Sequence, residues 1–174
     1  MADAVWAFCV GYAKTPARGR MLVLYGNNGT GKTHVAVAVK KWAEHVAGAL
    51  PMVETREGTQ RIPYVVFLHW PTFLDDLKGG AWESVQWAEE STLLVLDEVG
   101  GGHDPSKVGL DKLCRILSKR ERRWTLATTN CVPESWEELF DRRVASRLFR
   151  DAEHVDLTQV PDFSARRFEH ENGL

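Results

Sequence analysis

The densest chemistry in the chain is the run Gly26-Asn27-Asn28-Gly29-Thr30-Gly31-Lys32-Thr33. It matches G-x-x-x-x-G-K-[ST], the P-loop pattern. Glycines let the backbone curl until successive N–H groups point at phosphate oxygens. A helix starting at the lysine adds the partial positive charge of its N-terminus. In this pattern Lys32 reaches the β- and γ-phosphates and the Thr33 hydroxyl ligates Mg²⁺. The loop from Gly26 to Thr33, with His34 beside it, is therefore expected to hold a nucleoside triphosphate with Mg²⁺. The G-x-G-x-x-G spacing of a dinucleotide site is not met.

Two further polar groups close apolar runs. Leu93-Leu94-Val95-Leu96 ends in Asp97-Glu98, 65 residues after Lys32. At a strand end Asp97 helps hold Mg²⁺ and Glu98 orients or polarises an attacking water, which suits hydrolysis better than phosphate carriage. Taken alone, the pair reads as a solvated acidic turn; the P-loop upstream turns the reading to function. Thr125–Thr129 ends at Asn130, which can hydrogen-bond a γ-phosphate or a water, or simply make a turn before Val132-Pro133.

The elements that position these groups follow from periodicity. Residues 2–13 form a short apolar helix, and 14–20 a loop. Strands are expected at 21–25, 64–70, 93–96, 124–129 and 154–157. Between Lys32 and about Ala47, Val35, Val39, Trp42 and Val46 recur at helical spacing. Short helical pieces are expected at 72–78 and 82–90. A long helix from about Pro105 to Arg122 follows Asp104 and carries Leu110, Leu113, Cys114 and Leu117 on one face. Pro133 opens another helix, with a further one over 144–149. Residues 48–63 read as a loop or excursion. Trp42, Trp70 and Trp82 are expected in the core and Trp136 at an interface, while His103 sits in a loop. Apolar strands alternating with helices predict an α/β fold, a mainly parallel sheet covered on both faces.

The segments LVLYGNNGTGKTHVA, LLVLDEVG, LATTN and RRVASRL, in that order, resemble the AAA+ ATPases of the DnaC/IstB type. These are bacterial and phage helicase loaders and transposition ATPases. The resemblance runs from about Gly19 to Leu157. It implies a five-stranded sheet of order 5-1-4-3-2, in which the Asn130 strand separates the P-loop and acidic-motif strands. It implies that ATP and Mg²⁺ are the cofactors, that Asn130 is the sensor residue, and that ATP drives assembly on DNA. The partners it implies are single-stranded or duplex DNA, a replicative helicase or transposase, and further copies of the chain. The family's arginine finger, which reaches a neighbour's ATP, falls on Arg147, with Arg143 as runner-up. Two departures stand out. Asp97-Glu98 replaces the two aspartates frequent in the group, which favours hydrolysis. About 20 residues precede the first strand, where loaders carry a helicase-binding region, and 158–174 is too short for a helical lid. The chain thus reads as one AAA+ core domain.

Residues 111–123 hold six basic and two acidic residues. With the apolar side turned inward, Lys112, Arg115, Lys119, Arg120, Arg122 and Arg123 are expected to face solvent. They can bind a phosphate backbone or form a solvated helix end complementing the dipole. Residues 111–150 carry ten basic and six acidic residues, so charge is segregated although the net charge of the 174-residue chain is only −2. Composition, 44% hydrophobic and 26% charged, excludes disorder and disulfide scaffolds. Cys9, Cys114 and Cys131 are odd in number and lack CxxC spacing, consistent with reduced thiols and a cytoplasmic location. No apolar run approaches membrane-spanning length. Two other readings share the P-loop: a nucleotide or small-molecule kinase, and an ATP-dependent binding switch with little turnover.

Overall fold

Alternate residues of the first strand face two different cores. Met21 and Val23 pack with one cluster of buried side chains, and Leu22 and Leu24 with another. This is the period-two geometry of a strand buried on both sides. The computed structural model describes residues 1–47, 52–54, 61–80, 82–102, 104, 107–150 and 152–163. Its elements are α1 (Ala2–Lys14), β1 (Met21–Tyr25), α2 (Lys32–Ala47), β2 (Met52–Glu54), β3 (Arg61–Pro63), β4 (Val65–His69), α3 (Trp70–Lys78), α4 (Glu83–Glu90), β5 (Leu93–Asp97), α5 (Val108–Lys119), β6 (Trp124–Thr129), a 3₁₀ turn (Pro133–Ser135), α6 (Trp136–Arg150) and β7 (Ala152–Asp156).

The main sheet has the order β4-β5-β6-β1-β7, with every pairing parallel. Counting only these five strands, it is the expected 5-1-4-3-2, with β6 between the P-loop strand and the acidic strand. Phe8, Cys9 and Tyr12 of α1 and Ala36, Val39 and Ala43 of α2 cover one face. Side chains of α3 to α6 cover the other. Among the described residues no helix is long and apolar enough to cross a membrane.

Several expectations change. The 48–63 region is not simply loop: β2 and β3 pair antiparallel within it, and the rest lies outside the described residues. The long helix is shorter, because Lys107 sits in the left-handed region at its start. Asp104 braces this entry, its Oδ2 accepting from Leu110 N–H at 3.3 Å. Pro105 and His103 lie outside the described residues, as does the tail from 164. The two helices expected after Pro133 run together as α6 across a kink at Asp141 (φ 59°, ψ 164°). There the Asp141 carboxylate caps the second half, accepting from Arg143 and Val144 N–H groups at 2.8 and 3.2 Å. Trp82 is exposed rather than core, and Val46 is exposed too, whereas Trp136 is fully buried rather than at an interface.

The largest correction is Arg120. It does not face solvent; it is 2% exposed. Its guanidinium donates to the carbonyls of Ala88, Ser91 and Trp124 and to the hydroxyls of Ser91 and Thr125. The Ala88 and Ser91 carbonyls belong to the C-terminal end of α4, where the helix dipole is negative. Burial, with Arg123 nearby, pushes the guanidinium down to about 9, so it stays charged at neutral pH. Spacing allows the inward turn, since 113, 117 and 120 lie on one helical face, but the acceptors that hold it come from the end of α4 and the start of β6. Arg120→Ala strands several carbonyls and is expected to destabilise the fold by about 3–5 kcal/mol, read by chemical denaturation. A loss under about 1 kcal/mol would show that water takes over these bonds.

Candidate functional site

The C-terminal ends of β1, β5 and β6 meet at one cleft, as parallel α/β sheets place their ligand sites. It encloses about 510 Å³ and is lined by Lys32, Thr33, Glu98, Thr128, Asn130 and residues of the glycine loop. His34 and Phe163 also line it.

The loop is shaped as the sequence requires. Gly26, Gly29 and Gly31 have φ values of 145°, 72° and 89°, a region that side-chain-bearing residues rarely adopt. Thr30 Oγ1 donates to the Asn27 carbonyl at 3.0 Å and fixes the turn. Lys32 is buried, and its Nζ donates to the carbonyls of Gly26 and Asn27 at 2.8 and 2.6 Å. Burial lowers its pKa, opposed by the carboxylates of Asp97 and Glu98. Asn27 Nδ2 donates to the Thr158 carbonyl at 3.2 Å, and Phe163 N–H to the Gly29 carbonyl at 3.0 Å. The segment after β7 therefore lies across the loop.

Asp97 ends β5 and is 1% exposed. Its Oδ1 accepts from Thr33 Oγ1 at 3.2 Å and from Thr128 Oγ1 at 2.7 Å. A hydroxyl and a carboxylate this close form an oxygen donor pair suited to Mg²⁺. Glu98 follows at φ 60°, in the left-handed region, with its N–H donated to Thr128 Oγ1 at 2.9 Å. The carboxylate is half-exposed at the cleft, and its Oε2 lies 3.1 Å from His69 Nε2. His69 in turn contacts Thr72 Oγ1 through Nδ1 at 2.9 Å. Asn130, just beyond β6, is exposed on the cleft wall.

Lys32, Thr33, Asp97, Glu98 and Asn130 are thus brought together from three separate motifs. Three residues not singled out in the sequence join them. Thr128 ties the acidic strand to β6, His69 holds Glu98, and Phe163 lines the rim. For Thr128 the signal was a hydroxyl on a buried strand, two residues before Asn130. His69 and Phe163 carried none, since contact with the cleft depends on where β4 and the chain after β7 end.

The arginines lie elsewhere. Arg143 donates to Asp111 and Asp141, both at 2.9 Å, and these carboxylates raise its pKa. Arg147 donates Nη1 to the Arg143 carbonyl at 2.9 Å, while its Nε is buried with no partner among the described residues. It lines a separate cleft with Gly19–Met21, where β1 begins, not where β1 ends at the P-loop. The basic run 111–123 is not one continuous stripe. Arg115 pairs with Glu89, and Lys112 lies 4.6 Å from the centre of the exposed Trp82 ring. Arg123 donates to the Glu90 carbonyl. Lys119 and Arg122 are exposed.

No protein-family model matches the sequence, and no match to a curated protein is found. Solved structures do match in fold. The crystal structure of the DnaC helicase loader superposes with a TM-score of 0.67 at 20% identity, covering 88% of each chain. That of DnaI gives 0.67 at 20% identity over 92% of this chain and 82% of the other. The replication initiator DnaA, bound to AMPPCP and single-stranded DNA, gives 0.63 at 17% identity over 98% of this chain and 51% of the other. The chain therefore shares the fold of the DnaC helicase loader and DnaI structures.

Proposed function

We propose that this AAA+ core is an Mg²⁺-dependent ATPase that couples ATP to self-assembly and to binding of DNA or a partner protein, in the manner of a helicase loader. The observation that carries it is the meeting of Lys32, Thr33 and Glu98 in one cleft, a carboxylate beside a phosphate cradle. The fold shared with a helicase loader and with an initiator holding AMPPCP and single-stranded DNA supports it.

The glycine loop would wrap the phosphates, with Lys32 against the β- and γ-oxygens. Thr33 and Asp97 would hold Mg²⁺, which when bound neutralises charge on the phosphates. Glu98 takes a proton from, or orients, the attacking water, with His69 fixing its carboxylate. Asn130 contributes a hydrogen bond at the same wall. β1 is five residues long, roughly 17 Å, and separates Arg147 from the P-loop of its own chain. Arg147 therefore acts on the ATP of a second copy. Arg143, already neutralised by two carboxylates, suits that task less. For DNA, burial removes Arg120 from the expected set and Arg115 is paired with Glu89, leaving Lys112, Lys119, Arg122 and Arg123.

The test is phosphate release without an added acceptor, across protein concentrations and with or without single-stranded DNA. Turnover per molecule should rise with concentration. Arg147→Ala should cost roughly 10³-fold. Mixing it with Lys32→Ala should recover part of the rate, since one mixed interface holds both an occupied loop and a finger. A rate independent of concentration rejects action in trans, and phosphate transfer that needs an acceptor favours a kinase.

A further inference from the structure

Arginines from three separate segments of the chain line one cleft where the main sheet begins. Gly19–Met21 leads into β1 and Arg122–Trp124 into β6, and these strands are parallel neighbours. Gly19 N–H donates to the Arg122 carbonyl at 2.7 Å, and Thr125 N–H to the Arg20 carbonyl at 3.1 Å. The approach requires glycine, because a Cβ at position 19 would run into the backbone of Arg123 and Trp124. Arg122 is held at φ 61°, a conformation uncommon for a residue with a side chain. The second half of α6 adds Arg147. The result is a cleft of about 410 Å³ lined by Arg20, Arg120, Arg122, Arg123 and Arg147, with Glu121 the one carboxylate among its described lining residues.

These guanidinium groups are only partly committed. Arg20 pairs with Glu153 at 3.2 Å, and Arg123 donates one N–H to the Glu90 carbonyl. Arg122 makes no ion pair among the described residues. The buried Nε of Arg147 lacks an acceptor among the described residues. Like charges lining one cleft repel, and an unmet buried N–H costs free energy. An anion entering the cleft relieves both.

We propose that this cleft binds phosphate oxyanions, of a polyphosphate chain or of a nucleic-acid backbone, at the end of the sheet opposite the P-loop. Planar guanidinium forks match phosphate oxygens two at a time, and several forks around one cleft match more than one phosphate. The site adds Arg20, Arg122 and Arg123 to Arg147 and depends neither on turnover nor on an occupied P-loop.

The experiment uses the full chain carrying Lys32→Ala, so that P-loop binding does not contribute and a failure of ATPase activity leaves the result unaffected. Tripolyphosphate and a labelled oligothymidylate are titrated separately. At least one is expected to bind, and Arg122→Gln and Arg147→Gln each weaken it about tenfold. For the oligothymidylate, the slope of log K against log salt should fall by about 0.7 for each arginine removed. Lys41→Gln, which removes an exposed charge from α2, should leave affinity within about twofold. Binding of tripolyphosphate alone assigns a polyphosphate ligand, and of oligothymidylate alone a nucleic-acid backbone. Arg122 is exposed, so its variant keeps the test interpretable if Arg147→Gln folds poorly. Failure of both probes, or binding that Arg122→Gln leaves unchanged, overturns the proposal.

Discussion

Replacing Lys32 with alanine should weaken ATP binding by at least about 10²-fold, enough to remove it at ordinary working concentrations. Hydrogen bonds to charged groups are worth roughly 1.5–3 kcal/mol, and Lys32 is placed to make more than one to the phosphates. The ammonium is held ready by the carbonyls of Gly26 and Asn27 inside the loop it serves. Burial disfavours its charge while Asp97 and Glu98 favour it, so a triphosphate gains a counter-ion that is already poorly hydrated. Without Lys32 the loop keeps its backbone N–H groups and helix N-terminus, but not the group that spans two phosphates. Titration with a fluorescent ATP analogue reads the effect, with a thermal melt showing that the variant is folded. Affinity within about threefold of the unsubstituted chain would mean that the loop does not bind the phosphates.

Glu98→Gln should leave ATP binding nearly intact and lower turnover by roughly 10²–10⁴-fold. Glutamine matches the shape of the carboxylate and can still meet His69, 3.1 Å away. It cannot accept a proton or present a full negative charge to water. The backbone at Glu98 is left-handed and is tied to Thr128, which aims the side chain at the cleft without any contribution from its charge. The substitution therefore separates chemistry from position. Phosphate release at saturating ATP is the measurement, paired with the binding titration used for Lys32→Ala. Undiminished turnover would remove Glu98 from the reaction and direct attention to other groups on the same wall.

Much of this site was legible in the sequence because each motif is local. A glycine spacing, a lysine and a hydroxyl suffice to predict a glycine loop leading into a helix, and an apolar run ending in two carboxylates predicts a strand end. Their order along the chain fixed the resemblance, and with it the strand order later found. The motif residues also lie within a few positions of the elements that carry them, so short-range periodicity located them well.

What the linear pattern could not decide is which cation faces water and which residues from distant elements touch. Lys112 and Arg120 are two cations of one basic run. One lies over the exposed Trp82 ring, while the other is sealed beneath the ends of α4 and β6. Turning the apolar side of the helix inward argued for exposure of every cation in the run, but the carbonyls at the end of α4 supply the solvation that a buried guanidinium requires. His69 meets Glu98 because β4 and β5 are parallel neighbours paired at His69 and Asp97. Arg20 and Arg122 meet, a hundred residues apart, because β1 and β6 start side by side. The sequence by itself determined the order of the motifs and the architecture that carries them, since both follow from local residue types and periodicity. Only the tertiary structure decided the fate of the arginines, because a charged side chain settles where its partners are, and those partners come from distant parts of the chain.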